Sequence, residues 1–227
     1  MPLDASGRRP LKSRNLKVFQ SLAAALARAG VSPNAISASS MVFASLAGLA
    51  LAATLYQTGW AARACWLIAA VGLQFRLFAN LLDGMVAVEG RRGGPTGDLW
   101  NEAPDRISDT AIFIGAGFAT GGDPLLGFGA ALVAIFVAYV RALGASLGAG
   151  QCFLGPQAKP QRMALMTAVC LFYTVSPQTW QTIGSETGNI QLTVLQMALA
   201  IVIVGGVLTA SRRFRWIAAV LREKSGS

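Results

Sequence analysis

The chain of 227 residues contains no histidine, three cysteines and only ten acidic residues. The lack of histidine excludes imidazole-based acid–base catalysis, histidine-ligated haem and most zinc sites. The cysteines, Cys65, Cys152 and Cys170, show no paired spacing of the kind that marks a disulfide framework or a metal site. Charged residues make up 13% of the chain, roughly half the share that soluble domains carry. A metal site in this chain would therefore use oxygen ligands.

The chain is instead rich in long apolar stretches. Hydrophobic residues form 54% of the chain, and several uncharged runs approach the roughly 20 residues that cross a bilayer. The sequence predicts an all-α integral membrane protein whose N-terminal helix lies at the membrane interface. The six predicted transmembrane helices cover residues 34–55, 61–83, 98–119, 124–148, 162–177 and 190–210.

The basic residues give the predicted topology. They precede the first span, follow the last, and occur in the second and fourth connections. The other connections, residues 56–60, 120–124 and 176–189, contain neither Lys nor Arg. This alternation follows the positive-inside rule with both termini in the cytoplasm, and we expect a bacterial inner membrane. It also argues against nucleic-acid binding, which the net charge of +9 could otherwise suggest.

The chain divides into a single membrane domain with short flanking segments. Residues 1–13 are predicted to be a tail, and residues 15–29 have the apolar period of an amphipathic interfacial helix. A simple basic flank is the alternative for this segment. Residues 30–210 form the six-helix core, which Ser32 and Pro33 begin as N-cap and first-turn residue. Residues 211–227 are a basic extension.

Most of the acidic residues fall in one window. Within it, Asn80 and Asp83 are three residues apart, and Asn101 and Asp105 are four apart, so each pair shares one helix face. Carboxylates at membrane depth need partners, and a divalent cation is the natural one. The alternative is polar caps on two helices. The acidic residues of this window are Asp83, Glu89, Asp98, Glu102, Asp105 and Asp109.

The connection between the two pairs is rich in glycine and contains Arg91 and Arg92. Glycine-rich turns let backbone groups approach phosphates closely. Oxygen ligands, a basic glycine-rich turn and a membrane boundary together indicate a phosphorylated lipid substrate.

Two of the arginines within the predicted spans, Arg141 and Arg76, have candidate partners. Arg141 is expected to bind an anionic acceptor or its phosphate, with snorkelling to the interface as the alternative. Arg76 lies one turn before Asn80, where it either pairs with an acidic residue or snorkels.

The window resembles the signature of the CDP-alcohol phosphotransferases, Asp-x-x-Asp-Gly-x-x-Ala-Arg, eight residues, Gly-x-x-x-Asp-x-x-x-Asp. Every gap is preserved, and the segment Ser32–Ser37 is similar to the start of the family's first span. The segments at residues 139–142 and 159–162 resemble its later span borders, so the resemblance covers roughly residues 30–210. The matching signature residues are Asp83, Gly84, Ala87, Gly97 and Asp105.

Three signature positions differ. Asn80 and Asn101 stand where the family has aspartates that bridge two metal ions, and Val88 stands where it has arginine. An amide oxygen is neutral, so the site loses two negative charges. Asp98, Glu102 or Asp109 could replace that charge, and Arg91 or Arg92 could replace the arginine.

The resemblance implies a transferase of membrane lipid synthesis. Members transfer a substituted phosphate from a CDP-alcohol, usually CDP-diacylglycerol, to an acceptor alcohol and release CMP. The implied cofactor is Mg²⁺ or Mn²⁺, as one or two ions, and the implied assembly is a homodimer in membrane lipid.

The resemblance also implies residue roles. Asp105 would be the general base, and the metal ligands would be Asn80, Asp83, Asn101 and Asp105. The donor-binding residues would be Pro33, Asn34, Ala35, Ile36, Gly84, Ala87 and Gly97. The acceptor-binding residues would be Arg141, Lys159 and Arg162. The acceptor itself is open among glycerol phosphate, inositol phosphate, serine and sugar-like alcohols.

Two other functions compete with this one. Asn80 and Asn101 make a catalytically weak relative that binds CDP-lipid or a partner enzyme a credible alternative. A small transporter is the third hypothesis, and it rests only on six spans with charge near the membrane centre.

Overall fold

The computed structural model describes residues 17–89, 97–184 and 191–225, and these residues form a bundle of long helices. Short 3₁₀ turns follow α2 and α6, and a two-residue antiparallel pair precedes the last helix, with β1 at Thr182–Ile183 and β2 at Leu192–Thr193. The helices are α1 Lys17–Arg28, α2 Pro33–Ala53, α3 Gly59–Glu89, α4 Gly97–Gly117, α5 Pro124–Ser146, α6 Lys159–Val175 and α7 Val194–Ser225.

The start of α2 confirms the predicted cap. The Ser32 side chain accepts a hydrogen bond from the Ala35 backbone N–H, at 3.2 Å, and Pro33 occupies the first turn. Asp123 and Pro124 begin α5 in the same way, with the Asp123 carboxylate accepting from the Leu126 N–H at 2.9 Å. Both caps satisfy backbone donors that the helix itself leaves unpaired.

Four helices of the described chain are long and apolar enough to cross a membrane. They are α2 with the turn that follows it, α3, α5 and α7. The predicted third and fifth spans correspond to α4 and α6, which are helical but do not meet the same criteria of length and apolarity. α4 begins with a charged segment, and α6 has only 17 residues.

Helix α2 packs between α3 and α4, α5 packs on α4 and α7, and α6 packs on α3. One apolar cluster in the centre of the bundle contains residues from each of the helices α2 to α7. A second cluster joins α1 to the ends of α2 and α3, where Ala23 of α1 is only 2% exposed. The apolar face of the amphipathic segment therefore packs against the bundle, although Val18 on α1 is 75% exposed.

Glycines set the closest helix contacts. A methyl group built on Gly48 of α2 would lie 2.3 Å from the Ala111 carbonyl oxygen, and one on Gly115 of α4 would lie 2.3 Å from the Gly48 oxygen. Gly117 of α4 and Gly127 of α5 also approach closely, since a methyl group on Gly127 would lie 2.7 Å from the Gly117 Cα. Such spacing excludes any larger residue without backbone movement.

The last helix extends well beyond the predicted span. α7 continues to Ser225, whereas the sequence predicts a span ending at residue 210 and a separate basic extension. Arg213 is 3% exposed and donates to the backbone oxygens of Leu154 and Val137, at 3.0 and 2.8 Å. The extension is therefore a structural part of the bundle. α3 is also longer than predicted, because it continues through Gly84 to Glu89.

Candidate active site

Asp83 lies on α3, and the start of α2 is bound to it. The Ser37 hydroxyl donates to Asp83 Oδ2 at 2.7 Å, and both residues are 4% exposed. The segment beginning at Ser32 therefore places a hydroxyl donor on a signature carboxylate. The predicted donor-binding residues Pro33–Ile36 form the first turn of this same helix, and Ser37 follows them directly.

Asn80, Asp105 and Lys159 come together from three helices. Lys159, the first residue of α6, donates to Asn80 Oδ1 and to Asp105 Oδ1. The Asn80 amide nitrogen donates to the same oxygen of Asp105 at 3.2 Å. The structure thus brings Asn80 and Asp105 together, as the sequence predicts, but with an ammonium between them.

Behind this group lies a buried chain of charges. Arg76 Nη2 donates to Asp109 Oδ1 at 2.6 Å, and Arg162 Nη2 donates to Asp109 Oδ2 at 2.7 Å. Arg76 also approaches Asp105 Oδ1, at 3.5 Å. Arg76 and Asp109 are fully buried and Arg162 is 2% exposed. Of the two alternatives for Arg76, the structure shows acid pairing.

Arg76, Asp109 and Arg162 form a buried triad that affects two predictions. Both oxygens of Asp109 are occupied by guanidinium groups, so this carboxylate is not free to replace a missing metal ligand. Arg162, predicted to bind the acceptor, uses one guanidinium nitrogen for Asp109 and another for the Gln157 carbonyl oxygen, at 3.0 Å.

Arg141 lies on the more accessible side of the site. It pairs with Glu102 of α4 and donates to Gln151 Oε1 at 3.1 Å. Glu102 also pairs with Arg106, at 3.4 Å. A cleft of about 190 Å³ between α4 and α5 is lined by Glu102, Arg106 and residues of α5 that include Tyr139. Arg141 is therefore paired with an acidic residue and lies beside a cleft. It is not an unpaired charge within a span.

Several predicted residues are only partly described. The side chains of Asn101, Asp98 and Val88 lie outside the described set, as does the segment 90–96 with Arg91 and Arg92. Gly97 is the first residue of α4, and Gly84 and Ala87 are half-buried on α3. The predictions for these positions remain predictions.

Comparison with known proteins decides the family. No family model matches the chain. A phosphatidylinositol phosphate synthase from Mycobacteroides abscessus is 31% identical over 169 residues, which cover 69% of this chain and 69% of that protein. The chain belongs to the CDP-alcohol phosphotransferase family. With four helices of membrane-spanning character, this CDP-alcohol phosphotransferase is an integral membrane protein.

Solved structures share the fold of this CDP-alcohol phosphotransferase. The Mycobacterium tuberculosis phosphatidylinositol phosphate synthase with CDP-DAG bound superposes with a TM-score of 0.68 at 19% identity, covering 89% of this chain and 94% of that chain. The same protein in complex with manganese and citrate gives a TM-score of 0.69 at 17% identity, with 88% of each chain covered.

Because the relative forms a complex with manganese, the predicted ligands of this CDP-alcohol phosphotransferase can be compared with what a divalent ion needs. Asp83 fits, because it is a buried carboxylate beside a hydroxyl donor. Asn80 and Asp105 fit less well, because the Lys159 ammonium occupies one oxygen of each. Among the described residues, no three His, Cys, Asp or Glu side chains group closely enough to hold a metal ion.

Sequence reasoning missed the role of Ser37, which lies in a recognised segment. It left the partner of Arg76 open, and the Arg76–Asp109 contact crosses from α3 to α4. A usable signal existed for that contact. Arg76 and Asn80 are four residues apart, as are Asp105 and Asp109, so two facing helices each present two polar positions on one face.

Proposed function

We propose that this chain transfers a phosphatidyl group from CDP-diacylglycerol to the hydroxyl of a phosphorylated alcohol and releases CMP. The acceptor oxygen bonds to the phosphorus that carries the diacylglycerol. The pyrophosphate bond breaks, and CMP leaves with the electron pair. A divalent ion, when bound, would neutralise the diphosphate through Asp83.

The charge balance of the site carries the proposal for the acceptor. Among the described side chains of the site, five are cations and only four are carboxylates. An anionic acceptor is attracted by such an excess, whereas a neutral alcohol or a zwitterion such as serine is not. The phosphatidylinositol phosphate synthase among the relatives supports a phosphorylated cyclitol, such as inositol phosphate. The cations are Arg76, Arg106, Arg141, Lys159 and Arg162, and the carboxylates are Asp83, Glu102, Asp105 and Asp109.

Asp105 is proposed as the general base. Its Oδ1 accepts from Lys159 and Asn80, with Arg76 at 3.5 Å. Its Oδ2 has Arg106 at 3.8 Å, beyond hydrogen-bond distance. The second oxygen is thus the one from which a proton of the acceptor hydroxyl can be taken. The donors on Oδ1 hold the carboxylate in a fixed orientation for this step.

Arg141 is proposed to bind the acceptor phosphate, which would replace Glu102 as the partner of its guanidinium. Arg141→Ala should raise the acceptor KM by roughly 10- to 100-fold, the scale of a lost charged hydrogen bond. The donor KM should change little. CMP release with inositol phosphate, glycerol phosphate, inositol and serine as acceptors measures both parameters.

Arg63→Ala is the matched control for this substitution. Arg63 lies near the other end of α3, where its guanidinium covers the Trp60 ring at 5.3 Å, so its loss should leave both KM values unchanged. Equal increases of the two KM values in Arg141→Ala would indicate a structural role. CMP release that prefers neutral acceptors would refute the anionic acceptor.

Six membrane spans with both termini in the cytoplasm are proposed from the distribution of Lys and Arg. In a variant whose three cysteines are replaced by alanine, Gln178→Cys should react with an impermeant thiol reagent added outside intact cells. Ser146→Cys, also exposed, should react only after permeabilisation. The reverse pattern of labelling would invert the topology.

A further inference from the structure

Lys159 occupies a position that a metal ion would need. Its Nζ donates to oxygens of Asn80 and Asp105, two of the predicted metal ligands, which lie on different helices. The ammonium reaches them from α6, 54 residues from Asp105 in the chain. One cation therefore already joins α3 and α4 at the signature, and it is part of the protein.

The orientation of Asn80 fits this ammonium. Its amide oxygen accepts from Lys159 while its amide nitrogen donates to Asp105 Oδ1. An aspartate at this position could not donate, and would bring a second carboxylate against Asp105. The amide therefore suits a site in which a lysine replaces a doubly charged ion.

The charge balance leads to the same conclusion. Asp83 and Asp105 are the two signature carboxylates, and Asn80 and Asn101 are neutral. Before the donor diphosphate binds, two divalent ions plus Lys159 would bring five positive charges against these two carboxylates, whereas one ion plus Lys159 would bring three. Uncompensated buried charge is costly, so the second arrangement is favoured.

We propose that the Lys159 ammonium replaces one of the two metal ions, so that the site binds a single divalent ion, on the side of Asp83. This inference rests on the proposed transferase function of the same site. Lys159 supplies a fixed positive charge to the donor diphosphate, as lysine does at other phosphate sites. Asn80 then orients the ammonium and is not a metal ligand.

Manganese titration of the purified full chain tests the proposal. Calorimetry should give one Mn²⁺ per wild-type chain, and electron paramagnetic resonance should show isolated ions. The variant Asn80→Asp/Asn101→Asp/Lys159→Met should bind two ions whose spins couple, because paired ions in such sites lie about 3.5–4 Å apart. Lys159→Met alone should keep one ion and lose CMP release by roughly 100-fold or more.

Lys17→Met on α1 is the control, because Lys17 is exposed; it should match wild type in both measurements. Two Mn²⁺ per wild-type chain, or none, would overturn the proposal whether or not the triple variant folds. Two ions with CMP released would leave the proposed function intact. One bound Mn²⁺ per chain without CMP release from any acceptor would refute the transferase function, but it would support the replacement of one metal ion by the Lys159 ammonium.

Discussion

We expect Asp83→Asn to reduce CMP release by roughly a thousandfold or more, the upper range for loss of one preorganised electrostatic group at an active site. Asp83 is the described signature carboxylate that no lysine or arginine occupies by direct contact. Removing its charge leaves Asp105 as the remaining described signature carboxylate, and Asp105 already forms an ion pair with Lys159. We therefore expect the divalent ion to be lost, together with neutralisation of the donor diphosphate. CMP release and Mn²⁺ calorimetry on the same preparation measure the two losses.

Stability should not follow activity in this variant. Asp83 is 4% exposed, and a buried carboxylate is more costly than the amide of the same shape. The melting temperature of Asp83→Asn in detergent should therefore equal or exceed that of wild type. Ser37→Ala is the control, since it keeps the Asp83 charge while removing the 2.7 Å hydrogen bond to Asp83 and the 3.2 Å bond to the Pro33 backbone oxygen; it should reduce activity by about 10- to 100-fold. CMP release near the wild-type rate in Asp83→Asn would exclude this carboxylate from the metal site.

Asp109→Leu should destabilise the fold by about 3–5 kcal/mol, the usual cost of removing one partner from a buried ion pair. The carboxylate lies between Arg76 and Arg162, and its loss leaves the buried Arg162 guanidinium without an acid and Arg76 with only the 3.5 Å contact to Asp105. Thermal unfolding in detergent, followed by size-exclusion chromatography, measures the change. Glu102→Gln is the control, because the Glu102 side chain is 40% exposed and an exposed pair contributes about 1 kcal/mol or less.

Replacing the whole triad separates charge from packing. Arg76→Met/Asp109→Leu/Arg162→Met should recover most of the loss, because apolar residues of similar size can replace a buried ionic group at little cost. Within the described chain, Arg76 Nε, Arg76 Nη1 and Arg162 Nε have no hydrogen-bond partner, so the triad is only partly satisfied. If Asp109→Leu were as stable as wild type, the two guanidinium groups would have to find other partners.

The sequence predicts the helices well because apolar runs and caps are local signals. All six long helices occur, and the cap at Ser32 is confirmed. α7 continues as a helix past the predicted end of the span at residue 210, because Arg213 donates to backbone oxygens inside the bundle. The strands at Thr182 and Leu192 are two residues long, too short to give an alternating pattern.

The site was predictable only where spacing carries the information. The three-residue step from Asn80 to Asp83 places both on one face of α3, and the structure brings Asn80 to Asp105. The partner of Arg76 depends on how α3 and α4 pack, which no local pattern contains. The contact of Lys159 with Asn80 spans 79 residues, so it could be found only from the folded chain.

The close approach of Gly117 and Gly127 has a mechanical consequence for α5. At that point α4 and α5 touch through backbone, while nearer the site they are joined by the Arg141–Glu102 ion pair beside the cleft. Gly127 and Arg141 are separated by about 21 Å along the helix, so a tilt of about 5° at the glycines would move Arg141 by about 2 Å. A small rotation of α5 about the glycine contact would therefore widen or narrow the cleft beside Arg141 while leaving the packing at the glycines unchanged.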